Sequence, residues 1–355
     1  MSLVHLVVPD GVDDPARPSG GNTYDRRLCA GLVALGWEVC EHAVIAENRC
    51  GTMTYAESAL CEVLARLPDG GVLLLDGLVA TGHPEVLRSQ AGRLRLVVLV
   101  HLPLGLGATE DVGEVRAREE TALRGVAHVV TTSRWTWRWL LDAYGLDPSR
   151  VTVAVPGAEV GPAVTAEEPG RRLLCVGAVI PAKGHDVLLE ALARVAGSDW
   201  GCDLVGTLER DPGFVEHLRA RALELGIADR VRFRGALVGT ALDAAYAGAD
   251  LFVTASRGET YGMVVTEALA HGIPVVATRV GGLPEALGRT TGGQRPGLLV
   301  PPDDPAALAG SLEQWLGDPR LRLHLRHRAA ERRPLLPSWS ATSAEVAGVL
   351  ARVAA

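Results

Sequence analysis

Short runs of valine and leucine alternate with amphipathic segments along this whole sequence. In the first half the apolar runs cover residues 3–8, 72–75, 94–100, 126–131 and 151–155, and helix-like patterns such as 23–35 and 114–124 lie between them. Continuous apolar runs of this length are typical of strands buried on both faces, and intervening helices are typical of parallel crossover connections. The alternation therefore predicts an α/β fold with parallel sheets.

The alternation is interrupted by residues 158–170, which are rich in Gly, Pro and Glu and have no period. A second series of apolar runs follows at 173–176, 203–205, 231–233, 251–254 and 274–277. Because 355 residues exceed one average core, we expect two doubly wound, Rossmann-like domains, 1–157 and 158–337. They would face each other across a ligand cleft at the carboxyl ends of both sheets. The last helical segment, 338–355, could pack on either domain, the first included.

The charge balance argues against polyanionic partners. The formal net charge is −7, and residues 1–160 hold 20 acids against 14 bases, so nucleic acid and anionic membrane surfaces are poor partners. The amino terminus has no positively charged segment before its apolar run. The longest apolar run, 96–106, contains His101 and Pro103 and is too short to span a bilayer. We expect a cytoplasmic protein without stable membrane insertion.

Six cysteines form neither a C-x-x-C pair nor a His/Cys spacing typical of zinc sites. We therefore expect small buried hydrophobic residues in a reducing compartment, and no bound metal. The six are Cys29, Cys40, Cys50, Cys61, Cys175 and Cys202.

Two glutamates mark the segment 250–278, whose pattern reads as strand, loop, short helix, glycine and strand. Glu259 lies in the loop at the helix start, where free backbone N–H groups suit an anion such as a diphosphate. Taken alone, it is equally well explained as an acid favoured by the helix dipole. Glu267 lies two turns later between apolar neighbours. Because burying an unpaired carboxylate costs several kcal/mol, Glu267 should have a hydroxyl or cationic partner.

Lysine occurs once among the 35 basic residues, at position 183. Lys183 lies in a glycine-containing turn from strand to helix, between Gly177 and Gly184. A compact ammonium group there is well placed to bind a phosphate. Chance survival of one lysine in an arginine-rich composition is the alternative.

Two features of the first domain point to a similar ligand. Gly20 and Gly21 open the first helix and permit a phosphate or sugar to approach the backbone closely, although a structural turn explains them equally well. His101 follows the predicted strand 94–100 at the end that faces the expected cleft.

The sequence has no P-loop, no G-x-S-x-G, no G-x-G-x-x-G after the first strand and no D-x-D. Their absence weakens the cases for a serine hydrolase, a nicotinamide-dependent dehydrogenase and metal-dependent nucleotide chemistry.

The pair Glu259 and Glu267, with seven residues between them, resembles the E-x7-E signature of the retaining glycosyltransferases of family 4, which have the GT-B fold. Other segments agree with that family in order and spacing. They are 20–22, the strand ending at His101, 155–157, 177–184, 281–285, 297–301 and 338–339. The resemblance covers nearly the whole chain and is most specific in the carboxyl half.

The resemblance implies a role for each of these residues. Glu267 would bind the ribose of a nucleotide sugar, and Glu259 would bind the transferred sugar. Lys183 would neutralise the departing diphosphate, while Gly21 and His101 would contact the phosphates and the donor sugar from the first domain. The donor site would also include Gly177, Arg257, Thr260, Tyr261, Gly262 and Met263.

One position departs from the family pattern. The family commonly has an arginine directly after the glycine at 177, and this sequence has Ala178. Either Arg257 or Arg279 substitutes for that arginine, or the diphosphate is stabilised less strongly, or the leaving group or the activity itself has changed.

The resemblance implies a retaining hexosyltransferase without a metal ion or a permanently bound cofactor. Its donor would be a nucleotide-diphosphate sugar, with UDP favoured over GDP, bound by the second domain. We expect the first domain to bind a small, polar, soluble acceptor, and a homodimer remains open. The alternatives are a catalytically silent sugar-nucleotide-binding protein, a nucleotide-sugar epimerase or phosphorylase on the same fold, and more remotely a dehydrogenase.

Overall fold

The computed structural model describes residues 2–15, 18–49, 52–107, 111–161 and 170–355. The chain divides into two units. Unit 1 comprises Met1–Asp14, Ser19–Gly157 and Pro337–Ala355, and unit 2 comprises Pro15–Pro18 and Ala158–Leu336. Most of the expected linker, residues 162–169, lies outside the described residues, as does Cys50.

Unit 1 contains a six-stranded sheet in which all neighbouring strands are parallel, in the order β2-β1-β5-β6-β7-β8. A separate antiparallel hairpin is formed by β3 and β4. The strands are β1 (Leu3–Pro9), β2 (Glu38–Val44), β3 (Ala46–Arg49), β4 (Thr52–Tyr55), β5 (Val72–Asp76), β6 (Arg95–Val100), β7 (His128–Thr131) and β8 (Val151–Val153). The helices are α1 (Gly20–Ala34), α2 (Glu57–Ala65), α3 (Gly77–Ala80), α4 (Pro84–Gln90), α5 (Leu104–Gly107), α6 (Val112–Gly125) and α7 (Arg134–Tyr144), followed by a 3-10 turn at Pro148–Arg150.

The central strands of unit 1 are buried on both faces, which explains their continuous apolar sequences. In β1, Val4 and Leu6 belong to one core cluster with Leu28 of α1. Val7 belongs to a second cluster with Leu60 of α2. Helices therefore cover both sides of the sheet.

The apolar-run criterion does not identify β2, although β2 pairs with β1 along its whole length. Its sequence contains Glu38 and Glu41, which are both exposed. Because β2 is the edge strand of the sheet, its side chains need not be apolar, and charged residues protect an edge from pairing with other chains. Tertiary position, not local sequence, makes this segment a strand.

Unit 2 contains a second six-stranded parallel sheet, in the order β11-β10-β9-β12-β13-β14. Its strands are β9 (Arg172–Val176), β10 (Gly201–Val205), β11 (Val231–Gly235), β12 (Leu251–Thr254), β13 (Val275–Thr278) and β14 (Gly297–Val300). Its helices are α8 (His185–Arg194), α9 (Pro212–Glu224), α10 (Thr240–Ala247), α11 (Met263–Ala270), α12 (Leu283–Leu287), α13 (Pro305–Gly317) and α14 (Pro319–Arg332), with 3-10 turns at Pro181–Lys183 and Arg333–Leu335. This strand order is that of the Rossmann fold, and the predicted pair of doubly wound α/β domains is confirmed.

The chain returns to unit 1 for its last helix, α15 (Trp339–Ala354). Its buried Val346, Val349 and Leu350 belong to the core cluster of α1 and β1. Gly31 permits the close approach of α1 and α15, because a Cβ atom at this position would lie 2.0 Å from the Ser343 Oγ and 2.6 Å from the Ser343 Cβ.

The expectation that all cysteines are buried is wrong for two of them. Cys175 and Cys202 are buried in unit 2, whereas Cys40 and Cys61 are exposed. Cys40 lies on the edge strand β2 and Cys61 on α2, where positions facing away from the core are open to solvent. Cys29 is half-buried.

None of the described helices combines the length and the apolar character needed to cross a membrane.

We predict that Gly31→Ala destabilises unit 1. Alanine favours a helix by about 1 kcal/mol over glycine, but overpacking against the backbone-anchored Cβ of Ser343 costs about 1 to 3 kcal/mol. The net effect should be a lower melting temperature in thermal denaturation followed by circular dichroism.

Gly310→Ala is the matched control, because Gly310 lies inside α13 and a Cβ atom there would meet nothing within 4 Å. The control should be as stable as the wild type or more so. Equal stability of Gly31→Ala and Gly310→Ala would contradict close packing of α1 on α15.

Candidate active site

The strand order of unit 2 reverses between β9 and β12. The chain winds outwards from β9 through β10 to β11, and it then returns to form β12 on the other side of β9. At such a topological switch point the loops at the carboxyl ends of the two strands diverge and leave a crevice, where open α/β sheets bind their ligands. The loop after β9 carries Lys183, and the loop after β12 carries Glu259.

Lys183 and Glu259 meet at this point. The Nζ atom of Lys183 contacts Oε1 of Glu259 in an ion pair whose side chains are 28% and 13% exposed. The Oγ atom of Ser256 donates a second hydrogen bond to the same carboxylate oxygen, at 3.1 Å. A partly buried ammonium and carboxylate thus offset each other's loss of hydration.

Glycines allow the loops around this pair to touch through their backbones. Gly184, directly after Lys183, has a positive φ of +65°, and a Cβ atom there would lie 2.1 Å from the Ala255 carbonyl oxygen. Gly281, after β13, has a φ of +50°, and its Cβ atom would lie 1.7 Å from the Glu259 carbonyl oxygen. Since L side chains fit neither position, these glycines fix Lys183 and Glu259 in place. Gly177, at the start of the loop after β9, lies beside the Lys183 stem, because its Cβ atom would be 3.6 Å from Cδ of Lys183.

The segment from Thr260 to Met263 connects Glu259 with α11. Tyr261 and Gly262 are buried and Met263 is half-buried, and Gly262 adopts a φ of +96° at the amino-terminal cap of the helix. The first N–H groups of a helix have no acceptor within it and carry partial positive charge. This segment therefore places backbone donors in the loop that also holds Glu259.

Glu267 lies on α11 and is half-buried. Its Oε2 accepts a hydrogen bond from the Tyr246 hydroxyl of α10 at 2.7 Å, which supplies the hydroxyl partner that a buried carboxylate requires. Burial raises the pKa of Glu267, and the hydrogen bond from Tyr246 acts in the opposite direction. The His271 ring stacks on Tyr246 with 5.0 Å between centroids and holds the tyrosine ring in place.

Arg257 is committed to other partners. Its guanidinium donates to both carboxylate oxygens of Asp186, at 2.9 and 2.8 Å, to Asp303 at 2.7 Å and to the carbonyl of Pro181. The hydrogen bonds that Arg257 donates to Asp186 raise the pKa of Arg257. Ala178 is half-buried in the loop after β9, and Arg279 is exposed after β13. The structure therefore uses Arg257 to tie the loops after β9, β12 and β14 together.

The sheet of unit 1 has its own switch point, between β1 and β5. Gly21 lies at the start of α1, after β1, and His101 directly follows β6. The two residues are neighbours, since a Cβ atom at Gly21 would lie 3.4 Å from the His101 ring. The structure thus brings together the two residues of unit 1 that the sequence singled out.

Two buried aspartates hold His101. Its Nε2 lies 2.8 Å from Oδ1 of Asp25 and 3.6 Å from Oδ2 of Asp76, and the aspartate side chains are 1% and 4% exposed. Asp76 also caps α3, with Oδ1 accepting from the Leu78 N–H at 2.6 Å. Burial favours neutral His101, but the charges of Asp25 and Asp76 outweigh it and raise its pKa to about 9. Burial likewise raises the pKa of Asp76 to about 7, against the opposing charge of His101.

The segment that follows His101 is fixed by a third buried acid, Glu119 of α6. Its carboxylate accepts hydrogen bonds from the N–H groups of Leu104 and Gly105, both at 2.8 Å, and from the Tyr144 hydroxyl at 2.5 Å. Glu119 is 1% exposed. These bonds anchor α5 directly after the histidine.

The sequence analysis does not identify four of these residues, and for two of them the sequence contains a pattern that could have done so. The four are Asp25, Asp76, Tyr246 and Glu119. Asp76 ends an apolar strand run, so it had to lie at the carboxyl edge of the sheet, and Asp25 lies between the apolar positions of α1. For Tyr246 and Glu119 it contains none, because their partners lie on other elements of the chain.

Metal-ligating side chains form two close groups among the described residues, both in unit 1. Asp25, Asp76 and His101 form the first, and His5, Cys40 and His42 form the second. In the first group a protonated His101 already offsets the charge of the aspartates. The pair of Lys183 and Glu259 in unit 2 belongs to neither group.

Comparison with protein families identifies residues 170–318 as a match to the family described as "Glycosyl transferases group 1". A D-inositol 3-phosphate glycosyltransferase of Salinispora tropica is 33% identical over 320 residues, covering 77% of this chain and 64% of that protein. The enzyme of the same name from Salinispora arenicola is 32% identical over 336 residues, covering 79% of this chain and 70% of that protein. The chain thus spans about two thirds of the length of these relatives.

Solved structures match almost the whole chain. Sucrose-phosphate synthase from Thermosynechococcus elongatus has a TM-score of 0.81 at 22% identity and covers 99% of both chains. Anabaena HepE in complex with UDP-glucose has a TM-score of 0.79 at 17% identity, covering 99% of this chain and 100% of that one. These likenesses confirm the predicted GT-B type of fold.

We predict that unit 1 loses stability as the pH rises from 6.5 to 9. The pKa of His101 is raised from 6.5 to about 9, so its stabilising contribution is complete below pH 6.5 and is lost as the pH passes through 9. Asp76, whose pKa is raised from 3.8 to about 7, also lowers the stability as the pH rises, but in a lower window, from pH 3.8 to 7. The free energy of unfolding should fall by about 2 to 3 kcal/mol across the upper window.

Urea denaturation at several pH values measures this slope. His101→Gln should flatten it, because the titrating group is gone, while His327→Gln, at an exposed position of α14, should keep the wild-type slope. A wild-type slope in His101→Gln would show that the histidine is not held as a cation.

Proposed function

Because this chain belongs to the group 1 family of glycosyl transferases, we propose that it transfers a sugar from a nucleotide-diphosphate sugar to a hydroxyl group of an acceptor. The observation that carries this proposal is the pairing of Lys183 with Glu259 at the switch point of unit 2, with Glu267 on the helix that follows. A cation for the diphosphate, a carboxylate for the transferred sugar and a carboxylate for the ribose are the three groups that such a donor needs.

Glu267 is proposed to bind the ribose hydroxyls. Tyr246 occupies its Oε2 with a single hydrogen bond, and a carboxylate has about four acceptor positions. Tyr246 also fixes the side-chain direction, so the carboxylate is oriented before the ligand arrives. Backbone N–H groups of Tyr261, Gly262 and Met263 are proposed to bind the diphosphate oxygens together with the ammonium group of Lys183.

Donor binding is proposed to exchange the partner of Lys183. The ammonium group is held by Glu259, and a diphosphate, with more charge and more acceptor oxygens, would draw it away. Glu259 would then accept hydrogen bonds from the hydroxyls of the transferred sugar, and its Ser256 contact would keep it in place. One ion pair thus prepares both the phosphate site and the sugar site.

Transfer is proposed to proceed with retention of configuration and without a metal ion. The departing phosphate would take the acceptor proton on the face that it leaves, so the protein would act by charge stabilisation and positioning. The position of Lys183 supports this, since its ammonium group can take the charge that develops on the phosphate.

His101 is proposed to contact the transferred sugar. Its Nε2 is committed to Asp25, so Nδ1 is the ring nitrogen that can bond a hydroxyl group. Held as a cation, the ring is a donor at both nitrogens. Asp25 and Asp76 would then act through His101 as positioning residues.

A second candidate function is a silent sugar-nucleotide-binding protein, and Ala178 favours it. The arginine that usually accompanies the lysine is absent from this position, and Arg257 is bound to Asp186 and Asp303. Stabilisation of the leaving diphosphate would then rest on Lys183. Binding without turnover in the assays below would select this alternative.

We predict that UDP and UDP-sugars raise the melting temperature of the wild-type protein. A ligand at 100 times its Kd adds about 2.7 kcal/mol to the free energy of unfolding. Glu267→Gln should lose this stabilisation, because the uncharged amide has one acceptor oxygen where the carboxylate has two, and Tyr246 also needs an acceptor there. The UDP preference rests on the likeness to HepE bound to UDP-glucose.

The matched control is Glu313→Gln, an exposed position of α13 in the same unit, which should respond as the wild type does. A panel of UDP, GDP and ADP with their sugar conjugates identifies the base. Stabilisation by none of these would contradict the donor proposal, and an equal response in Glu267→Gln would remove this residue from the site.

The acceptor is proposed to be a small polar molecule that is neutral or cationic. Unit 1 has a pocket of about 400 Å³ beside the starts of α2, α4 and α6, lined by Glu57, Glu85 and Glu114 with Arg118 and His83. Three carboxylates against one guanidinium make the pocket acidic. The named substrate of the curated relatives, D-inositol 3-phosphate, is an anion and would be less favoured there.

We predict faster transfer to small polyols and amino compounds than to D-inositol 3-phosphate or to a lipid, when the transfer rate to each of these acceptors is measured with the same donor. Glu114→Gln should raise the acceptor KM by roughly two- to fivefold, the size expected for an exposed charge. Glu345→Gln, at an exposed position of α15, should leave KM unchanged. Preferred transfer to D-inositol 3-phosphate or to lipid would overturn this acceptor assignment.

A further inference from the structure

Three soft or borderline metal ligands cluster at the edge of the unit 1 sheet, apart from the residues discussed above. They are His5 on β1 and Cys40 and His42 on β2, and their ligand atoms all lie within 4.8 Å of one another. We call them the edge cluster. The sequence alone does not predict the edge cluster, because His5 is 35 residues away from Cys40 in the chain and only the pairing of β1 with β2 brings them together.

Strand register builds the edge cluster. Cys40 and His42 are two residues apart on β2, so both side chains point to the same face of the sheet. In the parallel pairing of the two strands, His5 is the register partner of Cys40. The three side chains are therefore placed together by backbone hydrogen bonding and not by a flexible loop.

The distances fit a tetrahedral ion. Nδ1 of His5 and Nε2 of His42 are 3.1 Å apart, and two imidazole ligands of a tetrahedral zinc ion are about 3.3 Å apart when each Zn–N bond is about 2.0 Å. A sulfur bound to the same zinc ion at about 2.3 Å lies about 3.5 Å from each of these nitrogens. Because Cys40 is exposed, rotation about its Cα–Cβ bond can bring Sγ to that distance from within 4.8 Å.

A second observation concerns the polar atoms of His5. This side chain is 7% exposed, and its Nε2 is a buried nitrogen without a hydrogen-bond partner among the described residues. Nδ1 is the nitrogen of His5 that faces His42, so Nδ1 would be the ligand atom, and the opposite nitrogen, Nε2, would carry the proton of the neutral ring. The exposed Cys40 on the edge strand gives an ion a path from solvent.

We propose that His5, Cys40 and His42 bind one Zn²⁺ ion. Cys40 would bind as the thiolate, releasing its proton to solvent, the two histidines would bind as neutral imidazoles, and water would complete the coordination. His5 lies in the amino-terminal half of β1, whereas Asp76 ends β5 and His101 follows β6 at the carboxyl edge. The ion would hold the edge strand β2 on β1, and it is a structural site that does not depend on the proposed transfer reaction.

Cobalt and zinc titrations of the full chain test this proposal. Reduced, metal-free wild-type protein should bind one Co²⁺ per chain with a thiolate-to-cobalt charge-transfer band and the strong visible bands of a four-coordinate ion, and Zn²⁺ should displace it. Zn²⁺ should also raise the melting temperature. Cys40→Ser should abolish the charge-transfer band and weaken Zn²⁺ binding by roughly tenfold or more, and His42→Gln should weaken it similarly.

Cys61→Ser is the matched control, because Cys61 is the other exposed cysteine of unit 1 among the described residues and lies outside the edge cluster. It should bind both ions as the wild type does. Circular dichroism of Cys40→Ser, which alters an exposed side chain, verifies that this variant is folded. The proposal is overturned if wild-type protein shows no charge-transfer band at equimolar Co²⁺, if the band persists in Cys40→Ser, or if Cys61→Ser loses it equally.

Discussion

The ion pair between Lys183 and Glu259 is the interaction on which the candidate site depends. Both side chains are largely withdrawn from water, where a lone charge is costly and a paired one is tolerated. Each residue therefore needs the other, or a replacement, to offset its loss of hydration. A diphosphate is such a replacement for Glu259, and sugar hydroxyls can replace the ammonium group of Lys183. The same desolvation that requires the pair makes the site selective for a ligand that carries both groups.

Acids withdrawn from solvent recur in both units, and each takes at least one polar contact from another element of its own unit. Glu267 of α11 takes its hydrogen bond from Tyr246 of α10, and Glu119 of α6 takes three from α5 and α7. His101 bonds Oδ1 of Asp25 and forms an ion pair with Asp76, and both aspartates raise its pKa. Oδ2 of Asp25 has no hydrogen-bond partner among the described residues. Such networks are rigid, because losing one hydrogen bond would leave a polar group without a partner in a medium of low dielectric constant, which costs free energy. Catalysis by positioning requires that the side chains contacting the substrate are held rigidly.

The sequence predicted the fold from its apolar runs and the unit 2 site from two glutamates and one lysine. The fold prediction is confirmed because buried strands must be apolar. The donor-binding roles of Lys183, Glu259 and Glu267 stay predictions, based on the general tendency of strand-to-helix loops to bind phosphate. The sequence did not predict β2, whose exposed edge relaxes the apolar requirement, nor the exposure of Cys40 on it. Tyr246 and the edge cluster escaped for one reason: their contacts depend on strand register and helix packing between distant segments. The sequence offered Arg257 as a cation for the diphosphate. In the folded chain Arg257 forms ion pairs with Asp186 and Asp303, which are distant in sequence.

The exchange of partners by Lys183 is tested most directly by the affinity for UDP of four proteins, the wild type, Glu259→Gln, Lys183→Met and the double variant, measured by isothermal titration calorimetry. UDP carries the diphosphate without a sugar, so Glu259 only competes with it for the ammonium group. Glu259→Gln should therefore tighten UDP binding by roughly three- to tenfold, a gain of up to about 1.4 kcal/mol, and the gain should vanish in the Lys183→Met background. A Glu259→Gln variant that binds UDP more weakly than the wild type, or that changes the affinity equally in both backgrounds, would contradict the exchange.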